Sequence, residues 1–423
     1  MSGATTGQGS NSVNLRLFNE RVILTALRRL GSASKADLAR HANLTSNTAG
    51  VIVRELEAQR LIRTEGKRAG LRGQPATLLS LNAEGAYSIG VKVGRRSLDT
   101  LLVDFTGRVL ERRHRERAFP LPEEAVALLL DDIAALRRAV PASAAAGRLA
   151  GLGVATPYNM GSWRRELDIP SEAYRAWNDF DIAGRLAAGT GLAVFRENDG
   201  TAAAVAELFQ GHGRWLNDFI YVFLGAALGG GVILGGNYHR GVNGNAGDLG
   251  LMPVAPSRLA TAPRPTRAYD ILLTRASVNA LIRHLRESGV PIERRAELDA
   301  AMAAHPAPVR EWLDDCADAL VAPLLSAARV LDFEAVVLDG DLPKPVLADL
   351  VARLAALLEK AVPEAREPPE LRPGTVGREA AALGAAILPL HLNFSPSSEI
   401  LLGHQHQGEG AAAGAAGARP VER

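Results

Sequence analysis

Four stretches of this 423-residue chain place polar side chains at spacings that can do chemistry. The first is Glu197-Asn198-Asp199-Gly200, which ends a strand read at 193–195 and opens a helix read at 201–209. Polar groups at the carboxyl end of a strand commonly face a ligand cleft in α/β proteins. Asp199 is then either a general base or simply the N-cap of that helix. The second, Gly225-Ala226-Ala227-Leu228-Gly229-Gly230-Gly231, follows a strand. Such a loop either cradles phosphate through its backbone amides or makes a tight turn, and no P-loop lysine accompanies it. The third, Gly244-Asn245-Ala246-Gly247-Asp248-Leu249-Gly250, sets an acid between glycines, as an acceptor for ligand hydroxyls or as a plain loop. The fourth, Thr45-Ser46-Asn47-Thr48, opens a helix running to about Gln59. Ser46, Asn47, Gly50 and Val51 lie opposite its apolar stripe of Ile52, Val53 and Leu56. Side chains at such a helix start can meet base edges in a major groove, where Asn47 suits adenine.

The elements around that fourth stretch make the chemistry specific. Leu17, Ile23, Leu24, Leu27 and Leu30 recur at helical spacing and Gly31 stops the helix. Ser34 and Asp37 form a capping-box pair at the start of a short helix whose Leu38 and Ala39 face inward. A turn at Asn43-Leu44 leads to Thr45, a good N-cap. Two short helices joined by a tight turn form a helix-turn-helix pattern. Strands at 61–65 and 76–81 with a basic loop between them complete a wing, whose Arg72-Gly73-Gln74-Pro75 is short and rigid like a minor-groove arm. Arg54, Lys67 and Arg68 are candidates for phosphate contacts, which set affinity and salt dependence but not sequence choice. Gly50 costs a helix about 1 kcal/mol against alanine, a cost that close approach to DNA accounts for. The reading assigns Thr45, Ser46, Asn47, Thr48, Gly50, Val51, Arg54, Lys67, Arg68, Arg72, Gly73 and Gln74 to a double-stranded DNA interface.

Charge supports this division. Residues 13–80 carry twelve lysines and arginines against five acids, a net of +7 in a chain of net +2, so the remainder carries −5. A basic module on an acidic body suits a polyanion binder, and a solvated basic face would look the same. The single cysteine, Cys316, allows no internal disulfide and no cysteine-rich zinc site, which fits a reducing cytoplasm and a buried structural thiol. No signal-like segment or bilayer-length apolar run is visible, so no membrane partner is expected. Composition marks 1–12 and 404–423 as disordered tails, 13–82 as the DNA-binding domain and 86–402 as the body.

The body alternates strands and helices and reads as α/β. Strands at 87–93, 98–104 and 108–117 are echoed by strands at 219–224, 231–234 and 237–240. The echo suggests a duplicated body of two lobes divided near residue 200, with a cleft between them.

The order of winged helix, VKVGRR, GVATPYNMG, FRENDGTAAAVAEL, GAALGGGVILGG, GVNGNAGDLGLMPV and LDGDL resembles the ROK family of repressors and sugar kinases over about residues 13–400. The N-terminal part is similar to that of the family's xylose- and N-acetylglucosamine-responsive repressors. The resemblance implies an actin/hexokinase-like (ribonuclease H-like) body with a sugar site. The departures carry as much information. The family's kinases have an Asp-x-Gly-x-Thr phosphate loop where this chain has Lys92-Val93-Gly94-Arg95-Arg96, so Lys92 replaces a metal-coordinating acid. Their Gly-Thr-Gly turn is Gly225-Ala226-Ala227 here. Both losses speak against phosphoryl transfer, which depends on positioning and metal-assisted charge neutralisation. The family's zinc site needs a histidine where Leu251 stands and cysteines downstream, and residues 255–277 contain neither type. Neither metal nor cofactor is therefore expected. Asn198 and Asp199 match the sugar-contacting pair and Asp248 stands where the family has glutamate. Leu273 falls near a second glutamate position, with Asp270 as a substitute. Asn159 and Ser171 fall in loops expected to face the cleft. The expectation is a cytoplasmic, dimeric or tetrameric regulator, not an enzyme, whose partners are palindromic DNA and a sugar, modified sugar or sugar acid.

Overall fold

The computed structural model describes residues 11–68, 76–117, 119–141, 148–160, 175–264, 267–362 and 367–402. Its first helix, α1 (Ser12–Leu30), begins at an Asn11 cap, so Asn11 and Ser12 belong to the helix and not to a tail. The rest of the composition-marked tails lies outside the described residues. Strand β1 (Ser32–Ser34) and α2 (Lys35–His41) follow, and the Ser34–Asp37 capping box forms as the spacing requires. Helix α3 (Ser46–Ala58) starts at Thr45, whose hydroxyl accepts from Thr48 N. Strands β2 (Ile62–Arg68) and β3 (Ala76–Leu81) run antiparallel, and β1 joins the outer edge of β3. The sequence reading has no counterpart for β1, because three small residues carry no periodicity and the strand exists only through its pairing with β3. Ile23, Leu24, Leu27, Leu38, Ile52, Val53, Leu56 and Leu79 are buried in this head.

Strands β4 (Tyr87–Val93), β5 (Ser97–Asp104) and β6 (Val109–Glu116), helix α4 (Pro122–Ala139), β7 (Leu149–Thr156), helix α5 (Ile182–Thr190) and β8 (Val194–Asn198) form the first α/β sheet, ordered β6-β5-β4-β7-β8. Ile89, Val91 and Val93 of β4 pack with Leu129 and Ile133 of α4 and Leu186 of α5. The alternate residues Ser88 and Gly90 occupy the other face.

The second unit opens with α6 (Asp199–Gln210) and strands β9 (Phe219–Leu224), β10 (Leu228–Leu234) and β11 (Asn237–His239). A two-residue bridge pairs β12 (Pro253–Val254) with β13 (Asp270–Ile271). Helices α7 (Val278–Glu287) and α8 (Pro306–Leu331), strand β14 (Ala335–Gly340), helix α9 (Lys344–Ala361) and strand β15 (Glu370–Pro373) follow, and helix α10 (Ala380–Phe394) begins in this unit. The sheet order is β11-β10-β9-β14-β15. Both sheets thus run third, second, first, fourth, fifth in chain order, the duplication suggested by the repeated strands.

Two readings are corrected. Gly229, Gly230 and Gly231 are not loop: the turn is only Gly225-Ala226-Ala227, and the three glycines lie in β10. They are there for close approach, since a Cβ on Gly230 would meet Tyr221 O at 2.6 Å and one on Gly231 would meet Ala204 Cβ at 2.5 Å. The strand read at 193–195 is Val194–Asn198, and its helix starts at Asp199, two residues earlier than read.

The described residues divide into two compact units, one holding those up to 197 and from 385 onward, the other those of 198–384. Helix α10 therefore begins in the second unit and ends in the first. In the first, Gly90 and Gly153 let its backbone lie directly on β4 and β7, because a Cβ on Gly90 would overlap Ala386 and one on Gly153 would overlap Ala385 O. Ser88 Oγ donates to Ala386 O. The head packs on the end of the same helix: Arg21 Nη1 donates to Leu392 O (3.0 Å) and Ser395 O (3.3 Å), and Arg28 Nη1 donates to Ser395 Oγ (3.4 Å). Phe105 and Phe394 meet edge to face at 4.8 Å. Overpacking this crossing with Gly90→Ala is expected to cost about 3 kcal/mol, the upper end of such effects, and thermal unfolding of the variant checks it.

Candidate functional site

Asn198 ends β8 and caps α6, accepting through Oδ1 from Gly200 N (2.8 Å) and Thr201 N (3.4 Å). This settles the alternative for Asp199: it is not the cap. Its half-buried carboxylate heads the helix and receives no hydrogen bond from another described residue. Gly200 brings that helix start against β10, since a Cβ there would lie 2.5 Å from Gly230 O. With its oxygen used in capping, Asn198 offers its Nδ2, which lies 3.5 Å from Asn245 Oδ1. Asn245 Nδ2 in turn donates to Asp248 Oδ2 at 2.9 Å. The structure thus brings Asn198 and Asp248 together through Asn245, a residue the sequence reading passed over within the GNAGD segment. Asp199 adjoins this chain of contacts. Two carboxylates and two carboxamides in one cluster can accept from and donate to adjacent hydroxyl groups, the pattern a carbohydrate ring presents.

Asn159 is exposed in the loop after β7, and its carbonyl accepts from Arg95 Nη2 at 2.9 Å. Ser171 lies outside the described residues. Leu273 is buried in the core of the second unit, and half-buried Asp270 bonds the neighbouring Ile271 N.

On the head, Thr45, Ser46, Asn47, Thr48, Val51 and Arg54 are exposed along one face of α3, and Ala49, Ile52, Val53 and Leu56 are buried on the other. The Thr45 and Thr48 hydroxyls hydrogen-bond each other at 2.8 Å. Gly50 is half-buried, and a Cβ there would have only Arg54 Nη1 nearby, at 3.9 Å. Lys67 is exposed on β2, where Arg68 is the last residue. Arg72, Gly73 and Gln74 lie outside the described residues.

A model of the ROK family matches residues 88–391. The chain belongs to the ROK family. It is 28% identical over 389 residues to a Sinorhizobium fredii protein called uncharacterized protein y4fQ, covering 89% of this chain and 92% of that one. The xylose repressor of Bacillus subtilis is 25% identical over 240 residues, 57% of this chain and 61% of the repressor, so the match spans about three-fifths of that relative. A glucokinase of Halalkalibacterium halodurans is 28% identical over 230 residues, 50% of this chain and 68% of the kinase. Among solved structures, a ROK family transcriptional regulator homologous to the E. coli MLC protein superposes with a TM-score of 0.64 at 20% identity, covering 92% of this chain and all of that one. The ROK hexokinase of Thermus thermophilus gives 0.53 at 27% identity over 71% of this chain and 97% of the hexokinase. The body therefore has the actin/hexokinase-like ROK fold, and its relatives include both repressors and kinases.

The residues of this ROK chain do not fit the zinc ion that the family resemblance implies. Leu251 stands at the histidine place and is 51% exposed. The segment that would carry the cysteines is held by other means. Arg275, buried, donates to Asp315 Oδ1 (2.7 Å) and Oδ2 (3.1 Å), to Asp318 Oδ2 (2.8 Å) and to Ala255 O (2.9 Å). Ser257 Oγ donates to Asp315 Oδ1 at 2.8 Å, and Thr261 Oγ1 meets His284 Nδ1 at 2.7 Å. The nearby Cys316 thiol is pushed well up by burial, with the Asp315 charge adding, which disfavours the thiolate a metal needs. The Asp315 and Asp318 carboxylates hold the Arg275 guanidinium above its ordinary value, against the desolvation that opposes them. Breaking a buried pair by removing one partner costs about 3–5 kcal/mol. Arg275→Ala should lower the unfolding midpoint strongly, whereas a zinc chelator should leave the wild-type midpoint unchanged in the same thermal scan.

Proposed function

We propose that this chain is a cytoplasmic, DNA-binding transcriptional regulator, a repressor of carbohydrate-related genes, whose kinase-like body senses a sugar or sugar derivative and does not transfer phosphate. The observation that carries the reading is the exposed α3 face: Ser46, Asn47 and Val51 line the N-terminal part of a capped helix on the chain's basic module. Its buried stripe fixes which side chains point outward, and basic strand β2 lies beside it as a wing. The repressor relatives support the regulatory half. The Asn198–Asn245–Asp248 cluster with Asp199 supports carbohydrate sensing, and Lys92 and Ala226-Ala227 oppose ATP-dependent catalysis.

We infer a homo-oligomer, a dimer or tetramer, that presents two such heads to a palindromic site. The ligand acts only through different affinity for two states of the body. Helix α10 offers the connection. Gly384 lies against Ala202 of α6, in the unit that holds Asp199, and the far end of α10 receives Arg21 and Arg28 of the head.

Fluorescence anisotropy with DNA from upstream of the gene tests the DNA half. Asn47→Ala should cost about 1–3 kcal/mol and relax the choice of base at one position. Lys67→Ala should weaken all sequences alike and reduce the slope of log affinity against log salt by about 0.9. An Asn47→Ala variant with unchanged affinity and specificity would refute the interface. The glucokinase relatives and the retained Asp199 favour a second reading, a sugar kinase. It requires ATP-dependent sugar phosphorylation that Asp199→Asn abolishes. A body that senses nothing is a third reading, and it requires regulation in cells to survive the double change Asp199→Ala, Asp248→Ala.

A further inference from the structure

The turn that leads from β11 into the 244–250 loop carries reactive chemistry that neither the sugar cluster nor the DNA face uses. Asn243-Gly244 is the one Asn-Gly pair in the 423-residue chain. A glycine after asparagine has no Cβ to hinder the approach of its own amide nitrogen, and it turns freely. Residues 240–246 form a turn closed by Ala246 N donating to Arg240 O at 3.2 Å. At its tip Val242 is fully exposed, and Asn243 beside it is exposed as well. Gly241, Gly244 and Gly247 take positive φ, 74°, 68° and 88°, so the backbone bends through left-handed residues on both sides of Asn243.

The fold restrains this pair little. Among the described residues the Asn243 carboxamide has no hydrogen-bond partner. The Gly244 N–H donates to Gly241 O at 3.3 Å, longer than an ordinary amide hydrogen bond. The Arg240 guanidinium lies alongside, its Nε 3.6 Å and its Nη2 4.0 Å from the place of a Gly244 Cβ. A fixed positive charge there favours the negative charge that develops when an amide nitrogen gives up its proton. Asn178, Asn198 and Asn217 each precede an aspartate, whose side chain crowds the attacking nitrogen, and Asn198 is also committed to its cap.

We propose that Asn243 is a site of self-modification by deamidation, with Arg240 as the charge that assists it. Gly244 N loses its proton to solvent hydroxide and bonds to Asn243 Cγ. The bond from Cγ to Nδ2 breaks, Nδ2 takes up a proton from water and leaves as ammonia, and a succinimide ring remains. Water then opens the ring, at Cγ to give aspartate or at the main-chain carbonyl to give isoaspartate. Either product adds one negative charge two residues before Asn245, the residue that bridges Asn198 and Asp248. Isoaspartate also lengthens the backbone there by one carbon. This chemistry stands whether or not the loop binds a sugar.

Peptide mapping of the full chain after incubation in heavy-oxygen water tests it. In mildly alkaline buffer Asn243 should be converted ahead of every other asparagine, each event marked by loss of ammonia and gain of one heavy oxygen. Fragmentation of the tryptic peptide 241–258 separates Asn243 from Asn245. Methyl transfer from S-adenosylmethionine by an isoaspartyl methyltransferase counts the isoaspartate. Mildly acidic buffer should slow the reaction, because hydroxide must remove the amide proton. Asn243→Gln should abolish it at this position. Arg240→Gln should slow it and Arg240→Lys restore it, a dependence on charge that a loosened turn would not reproduce. Conversion of another asparagine first overturns the assignment. So does an Asn243 that reacts in the urea-unfolded chain but not in the folded one, since the folded turn then protects it. Equal rates in wild type and Arg240→Gln overturn the part given to the arginine.

Discussion

The backbone crossing of α10 over β4 and β7 is the constraint on which the rest of the first unit depends. A helix normally stands off a sheet by the length of two side chains, but here Gly90 and Gly153 remove the Cβ atoms that would overlap residues 385 and 386. Gly384 does the same against Ala202 within the second unit. Such close-packed contacts have few alternative arrangements, because protein interiors pack at crystal-like density and transmit small shifts. Pro389 lies inside the helix and cannot donate to the carbonyl of Ala385, while the neighbouring Ala386 carbonyl accepts from Ser88. The end of α10 then becomes the seat of the head. Burial pulls the Arg28 guanidinium down to about 9, chiefly through lost hydration and secondly through the charge of Arg29. Arg21 is shifted the same way by burial, against Glu20. The carbonyl end of a helix carries partial negative charge, which offsets part of that cost. Two half-buried cations at this joint tie the head's seating to the position of the helix end.

In the proposed reading the second unit holds a ligand through side chains that its own hydrogen bonds set in place. Asn198 is committed to capping α6, which fixes the position of Asp199 one residue on. Asn245 ties that cap to Asp248, so the acceptors are spaced by hydrogen bonds within the protein and are organised before a ligand arrives. Arg275 gives the 255–277 segment a staple made of protein charge alone, which is compatible with the loss of the metal-binding side chains from that stretch. In the first unit the change of Lys92 for an acid inverts the local charge. These departures are consistent with the proposed reading of the body as a sensor.

Much of this was legible in the chain itself, for reasons that differ between elements. The capping box of Ser34 and Asp37, the Thr45 cap and the buried stripe of α3 are local patterns, and the structure places them where the spacing does. The repeated strand sets pointed to two similar sheets. What could not be read depends on residues far apart. Strand β1 exists only by pairing with β3. The glycines of β10 looked like a loop because their reason, contact with Thr201, Ala204 and Tyr221, lies outside their own segment. Ser88 and Ala386 are 298 residues apart, and Arg275 and Asp315 are 40 apart, distances over which periodicity says nothing. Asn245 was visible as a polar residue between glycines, but its role as a bridge appears only once β8 and the 244–250 loop are brought together.

The central claim is that ligand and DNA act on one two-state body, and binding linkage tests it directly. The measurement is the affinity of an effector, found by ligand screening, for the free protein and for the protein saturated with operator DNA, set beside operator affinity with and without that effector. The account predicts the same factor in both directions, within the roughly 5–150-fold range typical of coupled sites. Effector binding that is unchanged by saturating operator would contradict it.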